Sequence, residues 1–432
     1  MKEKFIKSTI ILIIGGGLTK LLGMIIKIIA TRIIGTEGIG MYMLILPTFN
    51  LFITLCTLSL PVAISKVIAE DKVNNKTLIF SLIPIIILVD IFLIILIIIT
   101  APYISSALLH DNRLYYPILA ISITLPFISL SSIARGYFFG KEKMFPHTLS
   151  NVFEQIVRLI ILVIILPKLI NKNLTLAVTG MVLVNVVSEL ASIFILFLFL
   201  PKNFKLEKKD FKLDFSNLKD IFSISIPTTF GRLIGSIGYF FEPIILTFFL
   251  LKGGYSNNYI VLEYGILSGY VMPLLLMPSF LSLAISSALL PVISKYYSSN
   301  RIDLVKRKIK QASLISLIIG SITTVTLFLF PSFFLKIIYN TNQGTAYLRI
   351  LAFPFIILYL QSPLATALQA INKSKKVMYA NLVGIIIKLV LISILSLLDF
   401  GMYSLVIATI FNIIFITTWH FIDLKKDLKY NK

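Results

Sequence analysis

Apolar residues run along this chain in long blocks broken by short clusters of charge, not at the alternate positions of a half-buried strand. An α-helix rising 1.5 Å per residue needs about 20 apolar residues to cross a bilayer. Blocks of about that length or more predict spans over 9–30, 41–65, 77–101, 116–139, 149–166, 174–200, 221–250, 264–294, 312–331, 348–371, 377–398 and 401–422. The fold class expected is therefore an all-α polytopic membrane protein of about 12 transmembrane helices. The N-terminus places basic residues before its first apolar run, as a secretory leader does. That run continues past Lys20 and Lys27 without a small-x-small cleavage site, so a retained first span is expected.

The pattern repeats. SIARGYFFGKEKMFPHTLSNVFEQIVRL, from Ser132 to Leu159, is echoed by SPLATALQAINKSKKVMYANLVGIIIKL, from Ser362 to Leu389. Each copy is an apolar helix, a charged turn and a second helix carrying an Asn and, seven residues on, a cation: Asn151 with Arg158, Asn381 with Lys388. Seven residues are about two helical turns, so each pair shares a face. LPVAISK at 60–66 returns as LPVISK at 290–295, and TKLLG at 19–23 as GRLIG at 231–235. Spans one to six thus correspond to seven to twelve. Six is even, which predicts two similarly oriented six-helix bundles related by pseudo-twofold symmetry. The expected division is an N-terminal bundle over 1–200, a basic cytoplasmic linker over 201–219 and a C-terminal bundle over 220–432. A substrate site is expected in the seam.

Composition agrees: 57% of the 432 residues are hydrophobic and 14% charged, against about 25% charged in soluble proteins. The net charge of +21 does not indicate nucleic acid, because the basic residues sit in short loops. Of the 40 Lys and Arg, 27 lie in loops on the N-terminal side of the spans and 7 in loops on the other side. This bias predicts cytoplasmic N- and C-termini and contact with anionic membrane lipids. KLEKKDFKLDF in the linker reads either as a surface amphipathic helix or as a solvated connection. NRIDLVKRKIKQ at 300–311 reads as a cytoplasmic helical connection. The single cysteine, Cys56, excludes an intrachain disulfide. His110, His147 and His420 have no metal-ligand spacing.

Six cations fall inside spans: Lys20, Lys27, Arg135, Arg158, Arg232 and Lys388. A charge at bilayer depth costs at least about 2.5–3.5 kcal/mol, so each needs a partner, water or a function. The repeat pairs Lys20 with Arg232 and Arg158 with Lys388, which points to a positively charged central cavity for an anionic substrate. The competing reading pairs the cations off, Arg158 with Glu154 one turn earlier and Arg232 with Glu242, or has them snorkel to the interface. Asp90 and Glu189 are expected to form helix-to-helix hydrogen bonds. Gly15-Gly16-Gly17 lacks the following Lys-Ser/Thr and preceding strand of a nucleotide loop, and is expected to serve close helix packing or bending. No nucleophile-base pair or metal cluster stands at credible spacing, so no enzyme activity and no cofactor are expected.

At RGYFFGKEKMFP, Arg135 to Pro146, followed by FEQIVRL, Phe153 to Leu159, the sequence resembles the stage V sporulation protein B-like branch of the MOP (multidrug/oligosaccharidyl-lipid/polysaccharide) flippase superfamily. TRIIGTEGIGMYMLILP, Thr31 to Pro47, is similar to that branch's first hairpin. The resemblance spans about Ile6 to Lys426. It implies two six-helix bundles around a V-shaped cavity, alternating access, and transfer of an undecaprenyl-linked sugar across the bacterial plasma membrane, with peptidoglycan lipid II the leading cargo. It places Lys20, Arg32, Arg135, Glu154 and Arg158 at motif positions. Phe139 and Asn151 stand where Gln is common in the branch, and many relatives have fourteen spans.

The function expected is a lipid-linked oligosaccharide flippase. Its pyrophosphate would be held by Lys20, Lys27, Arg158, Arg232 and Lys388, supported by Arg32, Arg135, Asn151, Glu154, Glu242 and Asn381. Transport would draw on membrane potential, H+ or Na+, and cell-wall synthesis proteins are candidate partners. A multidrug or cation antiporter on the same superfold is the alternative, and would depend on Asp90 or Glu242. A non-transporting scaffold for wall synthesis is a third reading.

Overall fold

The computed structural model describes residues 2–70, 75–201 and 215–430, and every regular element in them is helical. Among the described residues, twelve helical segments are long and apolar enough to cross a membrane. The chain forms two compact units, residues 1–240 and 241–432.

The first unit opens with α1 (Lys2–Thr57), two helical arms meeting at Gly35, where φ is 70° and ψ −173°. That conformation is open essentially to glycine alone. The sequence pattern predicts a loop over 31–40, but a single residue makes the turn. Arg113 braces this end, pairing with Glu37 and, at 2.8 Å, with Asp111. Then follow α2 (Leu60–Ala69), α3 (Asn75–Tyr103), α4 (Tyr115–Gly140), α5 (Met144–Ile170), α6 (Leu174–Leu198) and the first part of α7 (Phe215–Lys252). The predicted span 41–65 is interrupted at Leu58 and Ser59, whose φ values are 45° and 50°. Pro61, in the first turn of α2, suits a fresh helix start because its missing N–H would be unpaired there anyway.

Helices in lipid gain little from burying apolar surface against one another, so they associate where small residues allow close approach. Gly136 and Gly140 form such a stripe on α4. A Cβ on Gly136 would lie 2.9 Å from Ile64 Cβ, and one on Gly140 2.7 Å from Ile68 Cβ and 3.0 Å from the Ser65 carbonyl. Leu60, Ile64, Ile68, Leu78, Tyr137 and Phe138 pack into one core there, joined by Leu218 and Ile221 of α7. Thr54 and Ser236 add a 2.9 Å hydrogen bond from α1 to α7. These contacts tie the first half of α7 to the first unit, whose compact boundary falls inside α7, at Phe240. Residues 202–214 of the linker expected over 201–219 lie outside the described residues.

The second unit holds the rest of α7, then α8 (Asn257–Tyr264), a π-helical turn (Gly265–Val271), α9 (Met272–Leu276), α10 (Ser279–Ser298), α11 (Ile302–Leu329), α12 (Pro331–Tyr339), α13 (Thr345–Ala370), α14 (Ser374–Leu397) and α15 (Tyr403–Tyr430). The span expected over 264–294 starts earlier and breaks at Met277 and Pro278. The basic connection at 300–311 is largely the beginning of α11 itself. Leu289, Ile293, Val305, Ile309, Leu364 and Leu368 form its core.

The internal repeat reappears as matching contacts inside each unit. Ser65 and Gly140 correspond by sequence to Ser294 and Ala370. In the second unit Ser294 Oγ donates to the Ala370 carbonyl at 3.3 Å, so the same two positions meet in both.

Replacing Gly140 with Val forces a branched side chain against Ile68 and the Ser65 backbone. Overpacking of this kind costs about 1–3 kcal/mol. Cys56 is the only cysteine and is fully buried, so a thiol-reactive dye followed through a thermal ramp should show a lowered melting temperature. Ser59→Gly acts in the opposite direction. It removes a left-handed non-glycine residue and a buried hydroxyl without a partner. A gain of about 1 kcal/mol is expected, measured as a raised melting temperature by circular dichroism.

Candidate functional site

Three helices of the first unit, each almost wholly apolar, meet on a cluster of charged side chains. Arg135 on α4 donates from Nη2 to Glu154 Oε2 of α5 at 2.7 Å and, from α6, to Glu189 Oε2 and Ser192 Oγ, both at 3.1 Å. Arg158, one turn beyond Glu154 on α5, donates from Nη2 to Glu154 Oε1 at 2.6 Å and to Ser188 Oγ of α6 at 3.2 Å. Both glutamates are buried, and the arginines are about one-fifth exposed. Two guanidiniums and two carboxylates sum to zero, which is the arrangement a low-dielectric interior demands. The expected Glu154–Arg158 pair is present. Glu189, expected to bond another helix, does so through Arg135.

Asp90 of α3 accepts a hydrogen bond from Ser129 of α4. Asn151 Nδ2 lies 3.1 Å from His147 Nε2, one turn away on α5.

In the second unit Lys388 of α14 meets Glu242 of α7 at 2.6 Å. This replaces the pairing of Glu242 with Arg232 read from the sequence. Residues ten apart on one helix stand about 15 Å apart along the axis and roughly 80° round it, so those two cannot touch. Asn381, the repeat counterpart of Asn151, is exposed on α14.

The remaining cations behave differently. Lys20 on α1 and Arg232 on α7, equivalent through TKLLG and GRLIG, are both exposed. Among the described residues neither has a carboxylate partner. Lys27 is half-buried and Arg32 exposed, and both have polar or electrostatic contacts. Lys20, Gly23 and Lys27 share one stripe of α1. A Cβ at Gly23 would sit 3.7 Å from Gln155 Oε1, so this stripe runs beside α5 one turn from Arg158. The glycine triplet divides its roles. A side chain at Gly15 would overlap the Thr148 methyl of α5, whereas Gly16 and Gly17 face open space.

Apart from Lys27, half-buried with contacts of its own, the expected charged residues of the cavity divide in two. Arg135, Glu154, Arg158, Glu242 and Lys388 are joined in ion pairs, and Lys20 and Arg232 stand exposed. Ser188 and Ser192 were not singled out by sequence. Their placement beside Glu189, at i−1 and i+3 in an apolar span, was the available signal. No group of His, Cys, Asp and Glu among the described residues could hold a metal ion.

Comparison with known proteins fixes the family. The profile of the family described as Polysaccharide biosynthesis protein matches residues 5–297, and that of the MatE family residues 268–394. The chain belongs to the polysaccharide biosynthesis protein family. It is 34% identical to stage V sporulation protein B of Bacillus subtilis, over 99% of this chain and 85% of that protein. Identity to the lipid II flippase MurJ of the same organism is 23%, over 90% and 77% respectively. Among solved structures, an inward-facing multidrug resistance MATE transporter of the MOP superfamily superposes with a TM-score of 0.75 at 17% identity, covering 96% of this chain and 95% of that one. A MOP transporter of Pyrococcus furiosus, described as having a binding pocket of reverse polarity, gives 0.64 at 17% identity, covering 100% and 96%. Family and fold are those of multi-pass membrane transporters, not enzymes.

The neutral cluster makes a charge-balance prediction. Glu154→Leu leaves two guanidiniums facing one carboxylate and should cost about 3–5 kcal/mol, seen as loss of monodisperse protein and a lowered melting temperature. Removing Arg158 as well, in Glu154→Leu/Arg158→Leu, leaves the neutral Arg135–Glu189 pair and should restore much of that loss.

Proposed function

We propose that this polysaccharide-biosynthesis family member is a flippase that moves an undecaprenyl-pyrophosphate-linked sugar across the bacterial plasma membrane by alternating access, with lipid II as its cargo. The observation that carries the reading is the pair Lys20 and Arg232. They are cations on membrane-spanning helices, equivalent in the repeat, and among the described residues they have no carboxylate partner where Arg158 and Lys388 have one. A cation left in such a place without a partner is paid for by use, and a pyrophosphate supplies the complementary charge. The 34% identity to stage V sporulation protein B and the match to the lipid II flippase support a lipid-linked cargo. The bias of Lys and Arg to one set of loops supports cytoplasmic termini.

Arg158 and Lys388, with their glutamates, hold helices, and Lys20 and Arg232 take the anion, with Lys27 on the same stripe as Lys20. Transport needs an outside source of energy. An inside-negative potential favours outward movement of two negative charges by about 4–5 kcal/mol per 100 mV.

The test is flipping of fluorescent lipid II, and of the peptide-free undecaprenyl-pyrophosphate sugar, in proteoliposomes with and without an imposed potential. Lys20→Gln/Arg232→Gln should lower the rate at least tenfold with an unchanged melting temperature. Movement of the peptide-free lipid alone would keep the flippase and exclude lipid II. If neither moves, and drug efflux lost in Asp90→Asn appears instead, the antiporter reading replaces it.

A further inference from the structure

Between α11, α13 and α15 in the second unit lies a groove of about 550 Å3, within the size range of small-molecule sites. Its walls are hydrocarbon, with Leu317 from α11, Leu364 from α13 and Phe421 from α15. At one end it carries Lys306, Lys310 and Lys425. On α11, positions 306, 310, 313 and 317 follow one another at helical spacing, so cations and apolar wall lie on a single face. The Ser313 hydroxyl also lines the groove, buried and without a hydrogen-bond partner.

The nearby acids do not neutralise this end. Asp423 and Asp427 of α15 are turned to Lys376 of α14, at 3.8 and 2.9 Å. Asp303, one turn before Lys306, is exposed and does not line the groove. The basic end therefore holds three cations and no carboxylate, continuous with an apolar cleft along membrane-spanning helices.

We infer that this groove is a binding site for an anionic phospholipid of the surrounding bilayer. The phosphate sits among Lys306, Lys310 and Lys425, an acyl chain lies along Leu317, Leu364 and Phe421, and the Ser313 hydroxyl donates to a glycerol ester carbonyl. A zwitterionic lipid fills the same cleft but gains no net charge at its head, so the site selects by charge. It lies wholly within the second unit, whereas Lys20 and Arg232 belong to the first, and it stands whatever the cargo is.

The test is native mass spectrometry of the full-length protein, titrated with phosphatidylglycerol and with phosphatidylcholine of the same chains. Phosphatidylglycerol should bind preferentially, and Lys306→Gln/Lys310→Gln/Lys425→Gln should weaken it by about 10- to 100-fold. A control, Arg307→Gln/Lys373→Gln/Lys375→Gln, removes three charges outside the groove and should leave binding unchanged. Leu317→Trp, which fills the cleft without changing charge, should also reduce occupancy. Lys310 is exposed, so Lys310→Gln alone supplies a folded variant if the triple substitution does not fold, with a smaller loss in the same direction. Equal binding of the two lipids, equal loss in the control, or a protein dimer occupying the groove in place of lipid would each overturn the inference.

Discussion

A charge taken into a membrane interior must be neutralised or used, and the first unit is built around that requirement. Arg135, Glu154, Arg158 and Glu189 come from three helices, and none of the four would be tolerable alone at that depth. Together they form a closed set in which each carboxylate accepts from a guanidinium and the serines of α6 take further N–H donors. The set fixes the rotation of α4, α5 and α6 about their own axes, because turning any one of them would strand a charge. The second unit uses a smaller version, with Lys388 and Glu242 linking α14 to α7.

Packing supplies what the charges leave undetermined. The lipid-facing residues of α3, such as Leu88, Phe92 and Ile99, are as apolar as its buried ones, so hydrophobicity alone does not choose which face turns inward. Backbone proximity does. Gly136 and Gly140 admit α2, Gly15 admits α5, and Gly384 on α14 brings α15 close enough that a Cβ would stand 2.7 Å from Ile416 Cγ1. That Ser65 meets Gly140 while Ser294 meets Ala370 shows that the two halves keep the same contact with different small residues.

This also explains what could be read from sequence. Span positions and the repeat were visible because each rests on runs or motifs within a few tens of residues. The Glu154–Arg158 pair was visible because residues four apart on a helix share a face. Arg135 with Glu189, and Lys388 with Glu242, are separated by 54 and 146 residues, and no local periodicity links such partners. The competing pairing of Glu242 with Arg232 fails for that reason: closeness in sequence along one helix is not closeness in space. A break between the first two spans is legible over 31–40, but that Gly35 alone makes it is not, since only its backbone angles show that the helix resumes at once on either side.

The division between paired and exposed cations bears on how a membrane potential can drive transport. A cluster of zero net charge that shifts with its helices moves no net charge through the field, so under the proposed function the Arg135 network and the Lys388–Glu242 pair would add almost nothing to a voltage dependence. What remains is the cargo and the two cations proposed to hold it. If Lys20 and Arg232 travel through the field together with a doubly charged pyrophosphate, the charges cancel and the potential does little work. If the helices keep these cations at nearly constant depth while the anion passes them, close to the full 4–5 kcal/mol per 100 mV is available. α1 bends at Gly35, on the far side of Lys20 and Lys27 from the N-terminus, so a tilt of that arm about the bend would carry both cations together. Tilting a rod about one end displaces points near the pivot least. In such a tilt Lys27 would move less than Lys20, so under the proposed function the cation nearer Gly35 would better keep its depth while the anion passes.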